Sequence, residues 1–315
     1  MQTTTSEFIP AKKTLGREIW KNRALYIMAL PMIVIVFIFN YIPLYGIILA
    51  FKNFKFNLGM MASPWVEPWY AYFERFFTHT YFKKIMVNTL SISSMRIITM
   101  FVLSVILALV LNELKSMTFK KVSQTALYLP HFMSWTIVAG FLSRFLSLDY
   151  GLLNEIKVAL VGGDPILWMG EPKYFWGIII ISNLWKEVGW GSILYIAGIA
   201  GIDQSLYESA SLDGAGKLKQ AWYITIPSIA PIMGISLTMS VAGILYAGFD
   251  QVWLLKSAQT YDVAMIIDTY VMDIGLKQGQ YGYATAVSLF QGAIGFAMLV
   301  SFNYIAKRYF SISLW

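Results

Sequence analysis

The sequence predicts an all-α membrane protein with six transmembrane helices. Hydrophobic residues make up 57% of its 315 positions and charged residues only 13%, against about 45–50% and roughly 25% in soluble domains. The apolar residues also gather in six runs, near 25–50, 85–111, 124–148, 174–201, 228–249 and 281–305. Each exceeds the ~20 residues that carry a helix across ~30 Å of hydrocarbon. Such a chain cannot hide its apolar surface in one soluble core, and in lipid a helix satisfies its own backbone. The polar intervals are too short for a sizeable soluble domain.

The first run follows a charged tail, residues 1–24, with no small-residue cleavage site, so it reads as an anchor rather than a removed signal. In that tail Leu15, Ile19 and Trp20 stand among basic residues, which suits an interfacial amphipathic helix or a solvated tail. Residues 25–315 then form one transmembrane domain. The 52–84 interval contains "SPWVEPWYAYFERFF"; Trp and Tyr at headgroup depth explain it better than a carbohydrate-stacking surface. The second run holds Arg96 near its middle, and the third holds Arg144 close enough to an end to snorkel. The fourth is centred on Lys186 and Glu187. Pro227 precedes the fifth and the exposed or ligand-facing Asp250 follows it. Gly140, Gly198 and Gly243 are expected to allow close helix packing.

Placing the N-terminus in the cytoplasm gives the inner segments 12 basic and 6 acidic residues, and the outer segments 9 and 10. Inner loops carry the excess of Lys and Arg in membrane proteins. Both termini and the 202–227 loop are therefore expected on the cytoplasmic side. The same distribution accounts for the net charge of +7 without nucleic acid. With no cysteine and only His79 and His131, neither a thiolate nor a His-based metal site is expected.

Charges at the bilayer midplane cost a few kcal/mol and mark functional positions. Asn183, Lys186, Glu187, Trp190 and Leu194 recur at helical spacing and share one face. Glu187, the only acid inside a run, is expected to neutralise Arg96 or Lys186 as packing glue. Alternatively the face lines a path for a sugar, with Trp190 stacking on a pyranose and Lys186 bonding hydroxyls or a carboxylate.

The loop "ESASLDGAGKLKQAW" (208–222) has the look of a phosphate-binding loop. A Walker A sequence, however, needs glycine at 211 and Ser or Thr at 218, where this chain has Ser211 and Leu218. Instead, Asp203 or Ser205 can cap a short helix, Gly214 and Gly216 permit a change of direction, and a helix can resume from Lys217 to Tyr223. Glu208-Ser209-Ala210, three residues, Gly214, nine residues, then Ile224-Thr225-Ile226-Pro227 resembles the EAA signature E-A-A-x3-G-x9-I-x-L-P of bacterial ABC importer permeases. Asp213 immediately precedes its glycine. The segments "YLPHFMSW", "GFDQVWLL" and the terminal "SLW" are similar to the polysaccharide-type (LplB-like) subgroup of the sugar-uptake branch.

That resemblance implies a type I ABC importer permease fold in which the 202–227 loop forms a cytoplasmic coupling helix. Glu208, Ser209, Ala210, Asp213, Gly214, Ile224 and Pro227 would dock an ATPase subunit. It implies a second related permease subunit, two ATPase subunits that hold ATP and Mg, an extracytoplasmic solute-binding protein, and surrounding membrane lipid. This chain would bind no cofactor and catalyse no reaction. In related sugar permeases the positions matching Lys186, Glu187, Trp190, Ser240, Gly243, Ile244 and Ala247 lie at the substrate site, although the last four are small or apolar here. The excess of midspan basic residues fits an acidic oligosaccharide such as alginate; a neutral one stays open. A passive sugar channel and a non-transporting membrane scaffold are the rival functions.

Overall fold

The computed structural model describes residues 20–310. Most of the basic tail and the terminal "SLW" lie outside the described residues. The chain divides into two compact units between Ile48 and Leu49. In the first, helix α1 (Arg23–Val36) carries Pro31 in its interior and runs into a π-helical turn, Phe37–Tyr41, with no side chain buried. The helix is apolar on every side, the pattern of a helix that crosses a membrane. The Arg23 guanidinium lies over the Trp20 ring, 4.8 Å from its centroid.

The second unit is built on two long helices, α2 (Phe82–Asn112) and α6 (Pro172–Ala200), packed along each other. Between them come α3 (Met117–Tyr128), α4 (Trp135–Phe145) and α5 (Leu152–Val161). The chain continues through the short helices α7 (Gln204–Leu212) and α8 (Lys217–Gln220) into α9 (Ile226–Ala242), and ends in α10 (Tyr281–Phe310). Short helical segments fill residues 249–277 between α9 and α10.

Among the described residues, four helical runs are long and apolar enough to cross a bilayer: Arg23–Phe51, Phe82–Asn112, Lys217–Ala242 and Tyr281–Arg308. A fifth appears if the pair Met117–Phe132 and Trp135–Phe145, bent by 99°, counts as one broken span. This corrects one expectation and leaves the fourth span without support from hydropathy alone. The 124–148 run is not a straight helix, because Pro130 sits in a 3-10 turn (Leu129–Phe132) and Ser134 caps a new helix by accepting the Ile137 N–H at 3.3 Å. The fourth run, α6, is long enough at 29 residues but is not among the apolar spans, since Asn183, Lys186 and Glu187 interrupt its middle.

The buried stripe of α6 also turns. In its first half Phe175, Ile179, Ser182, Asn183 and Lys186 are buried; in its second half Ser192, Tyr195 and Ile199 are. At 100° per residue these two sets point to different sides. The first half packs in a cluster with Ile92, Ala247, Val252 and Ile266, the second with Val105, Ala108 and Ile229. Trp190 and Leu194 continue the first face, that of Asn183, into the second half and are exposed there. The turn falls at Gly189, where a Cβ would run into the Leu127 carbonyl of α3. Gly198 likewise meets Ile232, but Gly140 faces open space and Gly243 has only ordinary contact. Close packing was thus expected of three glycines and is found at one of them.

The 52–84 interval is partly core: Phe76 is buried against Phe82, Tyr270 and Phe290, while Trp65 and Trp69 are exposed.

Candidate functional site: a midspan polar cavity and a locked loop

A cavity of about 380 Å³ opens between α2, α6 and the end of α9. Its wall includes Arg96, Asn183, Glu187, Ser240 and Gly243, together with Ser93, Ile97, Met100 and Tyr246. Five of the residues singled out from sequence therefore meet here. Lys186, Trp190, Ile244 and Ala247 lie outside the wall.

Arg96 is fixed from two sides. Its Nη1 donates to the Ala247 carbonyl at 2.6 Å and its Nη2 to Asn183 Oδ1 at 2.7 Å. Ala247 thus acts through its backbone, which explains why an apolar residue suffices there. Gly248 makes this possible: its φ of +88° lies in the left-handed region, and a Cβ there would strike the guanidinium. Glycine in "GFDQVWLL" is required on both counts. Two carbonyl-type acceptors orient Arg96 without neutralising it, so the guanidinium keeps its charge toward the cavity.

Glu187 spends its carboxylate on the other neighbours. Its Oε1 accepts from Lys186 Nζ at 2.7 Å and its Oε2 stands 2.6 Å from His131 Nδ1. Lys186 Nζ also donates to the His131 carbonyl at 2.8 Å and lies 5.5 Å from the Trp135 ring centroid. The Lys186 side chain is 6% exposed and that of Glu187 24%. Of the two pairings expected for Glu187, the direct contact is with Lys186, because the two are adjacent on α6 and both meet His131 in the turn of the broken span. Arg96 takes the amide of Asn183 instead. A buried pair of this kind adds little net stability, but removing one partner strands the other.

His131 was not singled out by chemistry in the sequence. It belongs to this node because the 3-10 turn after Pro130 aims it at α6. Its ring stacks on Trp190 with centroids 4.2 Å apart and planes 4° from parallel. Trp190, 45% exposed, already holds a ring on one face.

The 202–227 loop is held by its own residues. Asp203 caps α7, accepting the Ser205 N–H at 2.9 Å, and this bond draws the carboxyl below its ordinary pKa. At the other end Gly214 has φ +76°. The Gly214 N–H donates to the Ser211 carbonyl at 3.1 Å and the Ala215 N–H to that of Ala210 at 2.8 Å. This pair of bonds is a Schellman motif with glycine in the left-handed position. The signature's glycine is therefore a helix stop, with Asp213 as the last residue before it. Gln220, buried, donates to Ser211 Oγ at 2.8 Å and to the Ala215 carbonyl at 3.0 Å. Tyr207 and Thr225 join hydroxyls at 2.9 Å. Lys217 reaches Glu113 at the end of α2 at 3.2 Å.

Glu208 shares a groove of about 430 Å³ with Tyr207, Ser211, Lys217 and Gln220. Ser209 is exposed and Ala210 half-buried on α7, while Ile224 is half-buried in a π-helical turn (Ala221–Thr225) that leads into Pro227. Leu212 and Leu218 flank the groove at 90% and 87% exposure; they are the strongest feature of this surface, and sequence spacing did not mark them.

Residues 100–311 match the family model described as the binding-protein-dependent transport system inner membrane component. The chain is 38% identical over 298 residues to the polygalacturonan/rhamnogalacturonan transport system permease protein YteP of Bacillus subtilis (strain 168), covering 95% of this chain and 92% of that one. Protein LplB of the same organism is 37% identical over 306 residues, covering 97% and 94%. The fold superposes, with a TM-score of 0.85 and 35% identity, on a crystal structure of a bacterial ABC transporter involved in the import of the acidic polysaccharide alginate, over 94% of this chain and 99% of that one. The midspan cavity, the locked loop and these matches lead to one conclusion: the chain belongs to the family of binding-protein-dependent transport system inner membrane components.

Proposed function

We propose that this chain is the permease subunit of an ATP-driven importer that moves an acidic oligosaccharide by alternating access. Arg96, held by neutral acceptors at the wall of the midspan cavity, carries this proposal. Among the described residues no carboxylate contacts this guanidinium, and such a group is suited to bind a uronate carboxylate in bidentate fashion. Asn183, Ser240 and Tyr246 on the same wall offer hydrogen bonds to hydroxyls, and Glu187 is largely engaged by Lys186 and His131. The alginate transporter with this fold, solved in complex with an alginate pentasaccharide-bound periplasmic protein, makes alginate-like oligouronates the first compounds to try.

In this proposal both termini are cytoplasmic, α6 serves as the sixth span despite its charges, and the loop of α7 and α8 meets an ATPase subunit. Exposed Leu212 and Leu218 beside the Glu208 groove are an apolar surface that a partner would cover. ATP and Mg would belong to two such ATPase subunits, and this chain would contribute motion rather than catalysis. A second permease subunit and a solute-binding protein would complete the assembly.

The test is ATP hydrolysis by the reconstituted complex, stimulated by loaded binding protein over a series of acidic and neutral oligosaccharides. Stimulation by oligouronates is expected. A charge-assisted bond contributes ~1.5–3 kcal/mol, so Arg96→Met should raise the half-saturating oligouronate concentration by ~10–100-fold and leave a neutral sugar less affected. Equal loss for both classes would overturn the assignment of Arg96 to carboxylate binding.

A further inference from the structure

We propose that a second, larger cavity, on the other side of α6, holds one acyl chain of a membrane phospholipid, with Lys173 at its mouth bound to the phosphodiester. The cavity measures about 620 Å³ and lies between α4, α5 and the first half of α6. Its wall is apolar along its length. The one hydroxyl in its depth, Ser182, donates to the Ile178 carbonyl at 2.5 Å, so it asks nothing of a ligand.

Polarity is graded from end to end. At the mouth, Trp168 and Tyr174 pack with ring centroids 4.8 Å apart, the residue types that settle at headgroup depth. Trp168 Nε1 is spent on Asn154 Oδ1 at 2.9 Å. Lys173 is exposed, and its carboxylate neighbour Glu171 is 3.8 Å away; at that distance and exposure the pair is weak. Lys173 also lies 4.8 Å from the Tyr174 ring centroid. The ammonium thus keeps donors for a phosphate. At the far end Trp185 and Phe141 stack at 6.2 Å and 19°.

Length identifies the occupant. From Lys173 to Trp185 the helix rises ~18 Å, close to one half of a ~30 Å hydrocarbon core plus the start of the headgroup layer. A groove that begins with a basic and aromatic rim and ends near the midplane is matched to one leaflet's chain. Gly177 opens its floor, since a Cβ there would meet nothing within 4 Å.

The experiment uses the assembled transporter in vesicles containing phosphatidylglycerol with a diazirine at the acyl-chain end. After irradiation, label is expected on peptides holding Phe141 and Trp185. Gly177→Phe fills the groove without steric conflict at its Cβ and should lower that label at least fivefold with an unchanged thermal transition. Lys173→Glu should lower it about threefold, and Lys173→Arg should restore it. Label spread evenly over all lipid-facing helices, or unchanged in Gly177→Phe, would overturn the proposal. So would a photoreactive residue at Ile181 that captures the second permease subunit instead of lipid. The inference requires a membrane-embedded chain and is independent of which sugar is carried.

Discussion

Glu187→Gln tests the ionic node at the turn of the broken span. The substitution keeps the shape and one acceptor but removes the only negative charge, among the described residues, in contact with Lys186, whose side chain is 6% exposed. Breaking a fully buried pair costs ~3–5 kcal/mol. Glu187 is 24% exposed and the amide oxygen still accepts a hydrogen bond, so the expected loss falls just below that range, at ~2–3 kcal/mol. Lys186→Met should be milder, ~1–2 kcal/mol. It removes the ammonium and leaves the carboxylate its 2.6 Å contact with His131 Nδ1. The double variant should then be more stable than the sum of the single losses predicts, by ~1–3 kcal/mol of coupling. Denaturant titration of the purified transporter, followed by tryptophan fluorescence, measures all three. Single losses that simply add, or a neutral Glu187→Gln, would refute the view that Glu187 stabilises Lys186.

Two further substitutions probe the glycines that the fold requires. Gly248→Ala should destabilise by more than the ~1–2 kcal/mol of a left-handed L-residue, because it also displaces Arg96; loss of oligouronate-stimulated ATP hydrolysis is the readout. Gly214→Ala should loosen the end of α7 by about 1 kcal/mol and weaken copurification of the ATPase subunits, while Gly214→Asn, which tolerates the left-handed region, should retain most of it. Equal retention by both variants would argue against a helix stop as the reason for that glycine.

Much of this was legible along the chain because membrane insertion is a local matter. Twenty apolar residues declare a span without reference to any other segment, and the EAA spacing declares its loop in the same way. Asp203 as a cap and Gly214 as a turn follow from backbone preferences that each residue carries by itself. The broken span shows where this stops. Its residues are apolar enough throughout, and the combination of Pro130 and Ser134, one unable to donate and the other able to cap, decides that the helix ends and restarts at 99°. Periodicity likewise puts Trp190 on the face of Asn183, but burial of that face ends at Gly189, where α6 changes neighbours.

By itself, then, the sequence determined the class of protein, the position of most spans and the helix stop at Gly214 in the 202–227 loop. Which charge meets which was decided only by the tertiary structure. Arg96 finds a carbonyl 151 residues away and Lys186 one 55 residues away, and both are backbone groups whose identity no side chain advertises. Hydropathy is a property of a segment, summed along it. A hydrogen bond between segments depends on where two helices cross, and that is set by glycines, breaks and packing that act together.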